Sequence, residues 1–117
     1  MKQIEILEKV LAKEIAYNEA NVNDTFFVAY KSSTRKYKDL LDFNDVIWDR
    51  DVEPIIANCK EFGIEEITIS STFSGLLETL EIFADNGCKI VGLTKVDYID
   101  WDGQDKKIPA MKIQMPK

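Results

Sequence analysis

The triplet Ser-Ser-Thr occurs twice in this chain, as Ser32-Ser33-Thr34 and as Ser70-Ser71-Thr72. Each triplet follows a segment with the composition of a β-strand, TFFVAYK (25–31) or IEEITIS (64–70). Parallel strands end at the same edge of a sheet, and open α/β sheets usually bind their ligands at that edge. We therefore expect the two triplets to lie side by side.

The residues around the triplets suit an anion such as a phosphate or a carboxylate. Cations follow the first triplet, and the second leads into a predicted helix whose free N–H groups and dipole attract negative charge. The candidate anion-binding residues are Ser32, Ser33, Thr34, Arg35, Lys36, Ser70, Ser71, Thr72 and Ser74. The alternative is that the hydroxyls only cap the helix, which is the commoner role of Ser and Thr there. Neither GxxxxGK[ST] nor GxGxxG is present, so no specific nucleotide motif supports the site.

Histidine is absent from the chain, which removes Ser-His and Cys-His nucleophile pairs and most zinc sites. Cys59 and Cys88 stand in predicted regular elements without a CxxC or CxxH neighbour, so we expect them to be small core residues. We predict no catalytic residue, no metal and no cofactor, and hence a non-enzymatic protein.

The net charge of −6 is concentrated in residues 39–88, which hold two Lys/Arg against twelve Asp/Glu. This acidity argues against general nucleic-acid binding, which needs basic surface. On a helix, Asp45, Asp49 and Glu53 fall in one i, i+4 row, and such a row can contact a partner or imitate a phosphate backbone. Trp101, in a turn built on Asp102-Gly103, is a further candidate partner contact.

The length of 117 residues fits a single domain over residues 1–117. No apolar run approaches the length of a membrane span, and the N-terminal segment carries Glu5, Glu8 and Glu14 within its apolar pattern, so it does not resemble a signal peptide. We expect a cytoplasmic protein that does not enter membranes.

The hydrophobic periodicity predicts a helix over 3–20, a buried strand over 25–31 and a helix from about Asn44 to Phe62. Trp48, Val52 and Ile55 hold one helical face across Pro54, which favours a single helix bent at the proline. The alternative is two helices, the second with Pro54 in its first turn.

The pattern of apolar and polar residues is clearer in the second half of the chain. It predicts a strand over 64–70, an amphipathic helix over 73–85, a strand over 88–99 and a strand over 108–115. Gly92 marks either a bulge or a close approach by another backbone. The order α-β-α-β-α-β-β predicts an α/β (mixed α+β) fold. Its small mixed sheet combines parallel strands with a C-terminal antiparallel hairpin and is covered by helices.

The stretch ITISSTFSGLLETLEIFADNGCKIVGLTKV, followed by a Trp-containing turn and IPAMKI, resembles a family of short uncharacterised bacterial proteins. These form a domain of unknown function, found largely in Gram-positive gut bacteria and often near mobile-element genes. The resemblance covers about the C-terminal half of the chain. It implies a context of conjugative elements or prophages and their accessory factors, and it supplies no activity and no catalytic residue.

Two functions follow as hypotheses. The first is an accessory or regulatory factor that acts by binding another protein, as the lack of histidine, the acidic block and the mobile-element context suggest. An anti-CRISPR or antirestriction-like inhibitor is one concrete form of it. The alternative is a small-molecule protein that binds a phosphate or nucleotide through the two Ser-Ser-Thr segments.

Overall fold

The computed structural model describes residues 8–9, 22–36, 41–99 and 102–116. Its elements are, in order, helix α1 (Asp24–Lys36), strand β1 (Asp42–Phe43), a 3-10 turn (Asp49–Asp51), helix α2 (Val52–Glu61), strand β2 (Glu66–Ile69), helix α3 (Leu76–Asp85), strand β3 (Lys89–Ile99) and strand β4 (Asp105–Gln114). The helix predicted over 3–20 lies outside the described residues, apart from residues 8–9, which are helical.

The predicted fold class is confirmed. From α1 onward the helices and strands follow the order α-β-α-β-α-β-β. The four strands form one mixed sheet in the order β1-β2-β4-β3, in which β1 and β2 are parallel and the other pairs are antiparallel. None of the described helices has the length and apolar character that crossing a membrane requires.

The strand predicted over 25–31 is wrong, because this segment is the first half of α1. Phe26, Ala29, Tyr30 and Ser33 are all buried, and their spacing of three, one and three residues is that of one helical face. The helix begins after Asn23, whose side-chain oxygen accepts the N–H of Phe26 at 3.0 Å. Burial along this face outweighs the strand propensity of the aromatic and β-branched residues.

The single bent helix over 44–62 is also wrong. Residues 44–48 are not helical, and α2 begins only at Val52, after the 3-10 turn. Pro54 is the third residue of α2, so it lies in the first turn, where a backbone N–H has no partner within the helix. The alternative position of Pro54, in the first turn of a helix, is therefore the correct one.

Helix α3 begins at Leu76, later than predicted, and its N-cap residue is Gly75, which makes no side-chain capping bond. Ser71, Thr72 and Ser74 therefore do not cap this helix, contrary to the capping interpretation. The helix ends as predicted at Asn86-Gly87, where Gly87 has a φ of 92°.

Strands β3 and β4 form the predicted antiparallel hairpin. Of the two alternatives for Gly92, the bulge is the correct one, because the register shifts between Ile90 and Gly92 and Gly92 has a φ of 137°. Beyond the bulge the pairing is regular from Gly92 to Ile99.

The core lies between the sheet and the helices. The Phe26 ring packs against Phe43 and Phe62, with centroid distances of 6.5 and 5.9 Å. Cys59 and Cys88 are buried in this core, as predicted. Burial raises the pKa of the Cys59 thiol to about 12, with a smaller contribution from Cys88, and raises that of Cys88 to about 11. Both thiols are therefore protonated and unreactive at neutral pH.

Candidate functional site

The two Ser-Ser-Thr segments meet at Asp42, a residue of β1 that is only 1% exposed. Ser33, on the buried face of α1, accepts the backbone N–H of Asp42 at 2.9 Å and donates its hydroxyl to the Asp42 carbonyl at 3.3 Å. These bonds join the end of α1 to the start of the sheet.

The Asp42 carboxylate accepts hydroxyl groups from β2 and the residue that follows it. Thr68 donates to one carboxylate oxygen at 2.6 Å and Ser70 donates to the other at 2.5 Å. Ser70 in turn accepts a 2.7 Å hydrogen bond from the Asn44 side-chain amide. Hydrogen bonds of this kind compensate the desolvation of a buried carboxylate. Of the hydroxyls expected to face a ligand anion, Ser70 thus bonds the carboxylate of Asp42, and Ser33 bonds the backbone of the same residue.

The triplets come together in a different way from that predicted. The first lies within a helix and does not follow a strand, so the two do not emerge from parallel strand ends. Ser33 and Ser70 converge on Asp42, whereas the Ser71 hydroxyl donates to the Asp45 carbonyl at 2.7 Å. Thr72 and Ser74 are exposed, and the side chains of Thr34, Arg35 and Lys36 lie outside the described part of the chain.

A cleft of about 500 Å³ lies between α1 and the segment 42–48. Its apolar lining residues are Val28, Ala29, Phe43, Val46 and Trp48. Its polar lining residues are Asp24, Thr25, Ser32, Asp42, Asn44 and Asp45, so the lining contains three carboxylates and, among the residues that the structure describes, no Lys or Arg. The cleft therefore offers apolar contact beside negative charge.

Three of the apolar lining residues are exposed to solvent. The exposed fraction is 58% for Trp48, 50% for Val28 and 37% for Val46. Ile47, between two of them, is buried, so the segment alternates and directs Val46 and Trp48 outward. The Arg50 guanidinium lies 5.9 Å from the centroid of the Trp48 ring, a distance at which cations are attracted to aromatic faces.

A second buried carboxylate, Asp51, fixes the far end of this segment. It is 7% exposed and accepts the Thr25 hydroxyl at 2.8 Å, the Asn23 side-chain amide at 3.2 Å and the Trp48 N–H at 3.2 Å. Segment 42–48 is thus held by Asp42 at one end and by Asp51 at the other, which orders the wall of the cleft.

The predicted partner-contact residues do not form one row. Asp45 lies in a bend and lines the cleft, Asp49 begins the 3-10 turn and Glu53 is on α2, so the i, i+4 relationship on a single helix is wrong. All three side chains are exposed. Trp101 lies outside the described residues. In the described part of the chain, no three His, Cys, Asp or Glu side chains are arranged to hold a metal ion.

The sequence reasoning missed Trp48 and the two buried carboxylates. The spacing of apolar residues places Trp48 on a helical face that continues across Pro54, whereas the structure exposes Trp48 outside any helix. The usable signal was the proline, because a helix that begins shortly before Pro54 leaves residues 44–48 extended. Asp42 and Asp51 belong to an acidic run that resembles a solvated surface, and no local pattern distinguishes them.

The comparisons with known proteins give a family and no activity. No curated protein matches the chain. A family described as Domain of unknown function (DUF7698) matches residues 25–115, which extends from the second residue of α1 to the residue after β4. The match therefore includes Asp42, Asp51 and every residue that lines the cleft except Asp24. The chain belongs to the DUF7698 family of domains of unknown function.

Proposed function

We propose that this protein is a non-enzymatic accessory factor that binds a partner protein through the cleft between α1 and segment 42–48. The observation that carries the proposal is the exposure of Val28, Val46 and Trp48 around one cavity. Exposed apolar side chains that surround a cavity are typical of interaction sites, and tryptophan is the most frequent residue among interface hot spots.

The charge of the cleft specifies the partner further. Asp24 and Asp45 are exposed carboxylates of the lining, and the described lining residues include no Lys or Arg, although Arg50 lies beside Trp48. A partner segment that inserts an apolar side chain against Trp48 and places Lys or Arg beside these carboxylates complements both features. An acidic segment or a nucleic acid is disfavoured by the same charges.

The hydrogen bonds of Asp42 and Asp51 support this role because they order the binding surface in advance. Binding costs less free energy when the contact residues do not have to be ordered at the moment of association. Segment 42–48 carries two of the three exposed apolar residues, and its two ends are held by buried carboxylates.

The alternative function, anion binding by the Ser-Ser-Thr hydroxyls, has weaker support. Ser33 and Ser70 already bind Asp42, and a small anion in the adjacent cleft would lie near the carboxylates of Asp24, Asp42 and Asp45. A cytoplasmic location and an association with mobile elements agree with both functions and do not separate them.

The test is a pull-down with the tagged chain, at low and at moderate salt, from a lysate of cells related to those in which the protein naturally occurs. We expect the wild-type chain to retain a specific protein that Trp48→Ala loses. Leu77→Ala is the matched control, because Leu77 is 77% exposed and lies on α3, and it should retain the same protein. Retention of no specific protein, or equal retention by Trp48→Ala, would count against the proposal.

A further inference from the structure

Strand β3 presents a long edge. In the described sheet it is the last strand, with β4 on one side and no strand on the other. It has 11 residues, and two of its apolar side chains, Val91 and Leu93, are 49% and 78% exposed. On the side away from β4, the backbone N–H and C=O groups of this edge pair with no described strand and can bond another strand.

We propose that two copies of this chain associate through β3, antiparallel to each other and centred on Val96, so that their sheets become continuous. This is an interaction surface separate from the cleft, and it does not depend on the partner proposed above. The occupant of the edge is a second copy because the charges of β3 complement those of β3 itself.

The charge argument follows from the register. Because β3 is regular from Gly92 to Ile99, a two-fold axis through Val96 places Lys95 of each copy opposite Asp97 of the other. Both side chains are exposed, and both point to the same face of the sheet as Leu93. Opposite charges in directly facing positions stabilise antiparallel strands, whereas like charges destabilise them.

Neighbouring registers lose this complementarity. An axis through Lys95 places the Lys95 side chains of the two copies opposite each other. An axis through Asp97 places the two Asp97 carboxylates opposite each other. An axis through Thr94 places Lys95 opposite the apolar Leu93. Of the two-fold registers centred on residues 94–97, the one at Val96 gives two opposite-charge pairs.

The same features disfavour foreign strands. A lysine in the middle of an edge strand and a bulge at Gly92 are both devices that hinder unspecific edge pairing. A second copy compensates Lys95 with its Asp97, whereas a strand without an acidic residue at that position does not. Asp97 already has Lys107 of its own chain at 3.3 Å, and both side chains of this ion pair are exposed.

The experiment is sedimentation of the full chain over a range of protein concentrations. We expect a reversible dimer for the wild type. Lys95→Asp, which places carboxylates opposite each other twice, should raise the dissociation constant about tenfold or more. Lys107→Ala removes only the pair within the chain and should leave the dimer intact. Circular dichroism checks that each variant is folded.

The charge swap completes the test. In the Lys107→Ala background, Lys95→Asp combined with Asp97→Lys restores opposite charges across the axis, so dimerisation should return to within a fewfold of the Lys107→Ala value. A wild type that stays monomeric at every concentration would overturn the proposal. A dimer that Lys95→Asp does not weaken, or that the swap does not restore, would show that another surface mediates it and would overturn the proposal equally.

Discussion

Ser70 donates a 2.5 Å hydrogen bond to the buried carboxylate of Asp42, 28 positions earlier in the chain. The same aspartate is bonded through its backbone to Ser33, so the two Ser-Ser-Thr segments share one residue, which Ser33 bonds through the backbone and Ser70 through the carboxylate. These contacts connect α1, β1 and the end of β2 beside the cleft. The hydroxyls therefore organise the wall of the cleft, and Val46 and Trp48 are the side chains that this wall exposes.

Asp42→Ala is expected to lower the free energy of unfolding by about 2–4 kcal/mol, because it leaves the Thr68 and Ser70 hydroxyls without their buried acceptor. Urea unfolding followed by circular dichroism measures the change. The matched control is Asp49→Ala, at an exposed position of the same acidic block, which should change stability by about 0.5 kcal/mol or less. Equal effects of the two variants would contradict the network.

Gly92→Ala is expected to destabilise the protein by about 1–3 kcal/mol, since a φ of 137° is strained for any residue with a Cβ atom. A Cβ atom there meets nothing within 4 Å, so the cost comes from the backbone alone. Gly75→Ala is the control, because its φ is −93° and its nearest contact is an ordinary 4.0 Å. Thermal unfolding compares the two variants, and equal melting temperatures would argue against the bulge geometry.

Because both thiols are buried, we expect the protein to lose stability at alkaline pH. Unfolded thiols ionise near pH 9.0, whereas burial raises the pKa to about 12 for Cys59 and about 11 for Cys88. Because the folded state keeps these protons longer, their contribution to the free energy of unfolding is constant below pH 9.0 and falls as the pH rises towards 11–12.

Denaturant unfolding at several pH values between 8 and 11 tests this dependence, with Cys59→Ala/Cys88→Ala as the comparison that should show a flatter profile. Ellman's reagent should find no reactive thiol in the native protein at pH 8 and both cysteines in denaturant. Rapid reaction of the native protein would show that the thiols are accessible or ionised.

Anions are expected to leave the melting temperature unchanged. A ligand that binds the native state raises the melting temperature by mass action, but Ser33 and Ser70 already bind Asp42. Thermal shift with phosphate and a panel of nucleotides measures the effect on the wild type and on Arg35→Ala/Ser71→Ala. A shift in the wild type that this double variant abolishes would instead support the anion-binding alternative.

The sequence predicts the C-terminal half of the fold well because its signals are local. Three local patterns each predict the position of an element to within a few residues. They are the apolar stripe of α3, the alternation of apolar and polar residues in β2 and the glycine at the bulge of β3. The α/β class follows from the order of these elements, even though the first strand was placed wrongly.

The errors occur where burial contradicts local propensity. TFFVAYK has the composition of a strand, and its helical period becomes visible only when the polar Ser33 is counted as a core position with Phe26, Ala29 and Tyr30. The two-residue strand β1 contains the buried Asp42, which pairing with β2 and bonds from distant hydroxyls make tolerable. No sequence pattern within residues 41–48 indicates the pairing with β2 or the hydrogen bonds from distant hydroxyls.

The same reason explains why the candidate site was only partly predicted. The hydroxyl triplets and Asp45 were singled out, and the structure brings Ser32, Ser33, Ser70, Ser71 and Asp45 to the cleft or its supporting bonds. The buried Asp42 organises this arrangement. Both the burial of Asp42 and the exposure of Trp48 depend on contacts between elements far apart in sequence.

The proposal that the cleft binds a partner protein is tested most directly by photo-crosslinking in the cells in which the protein naturally occurs. A photoreactive amino acid replaces Val46 in one variant and Leu77, on the exposed surface of α3, in another. We predict that position 46 crosslinks one protein, through a segment that contains Lys or Arg beside an apolar residue, and that position 77 does not. The same crosslinks from both positions, or a crosslinked segment without a basic residue, would contradict the assignment of the cleft.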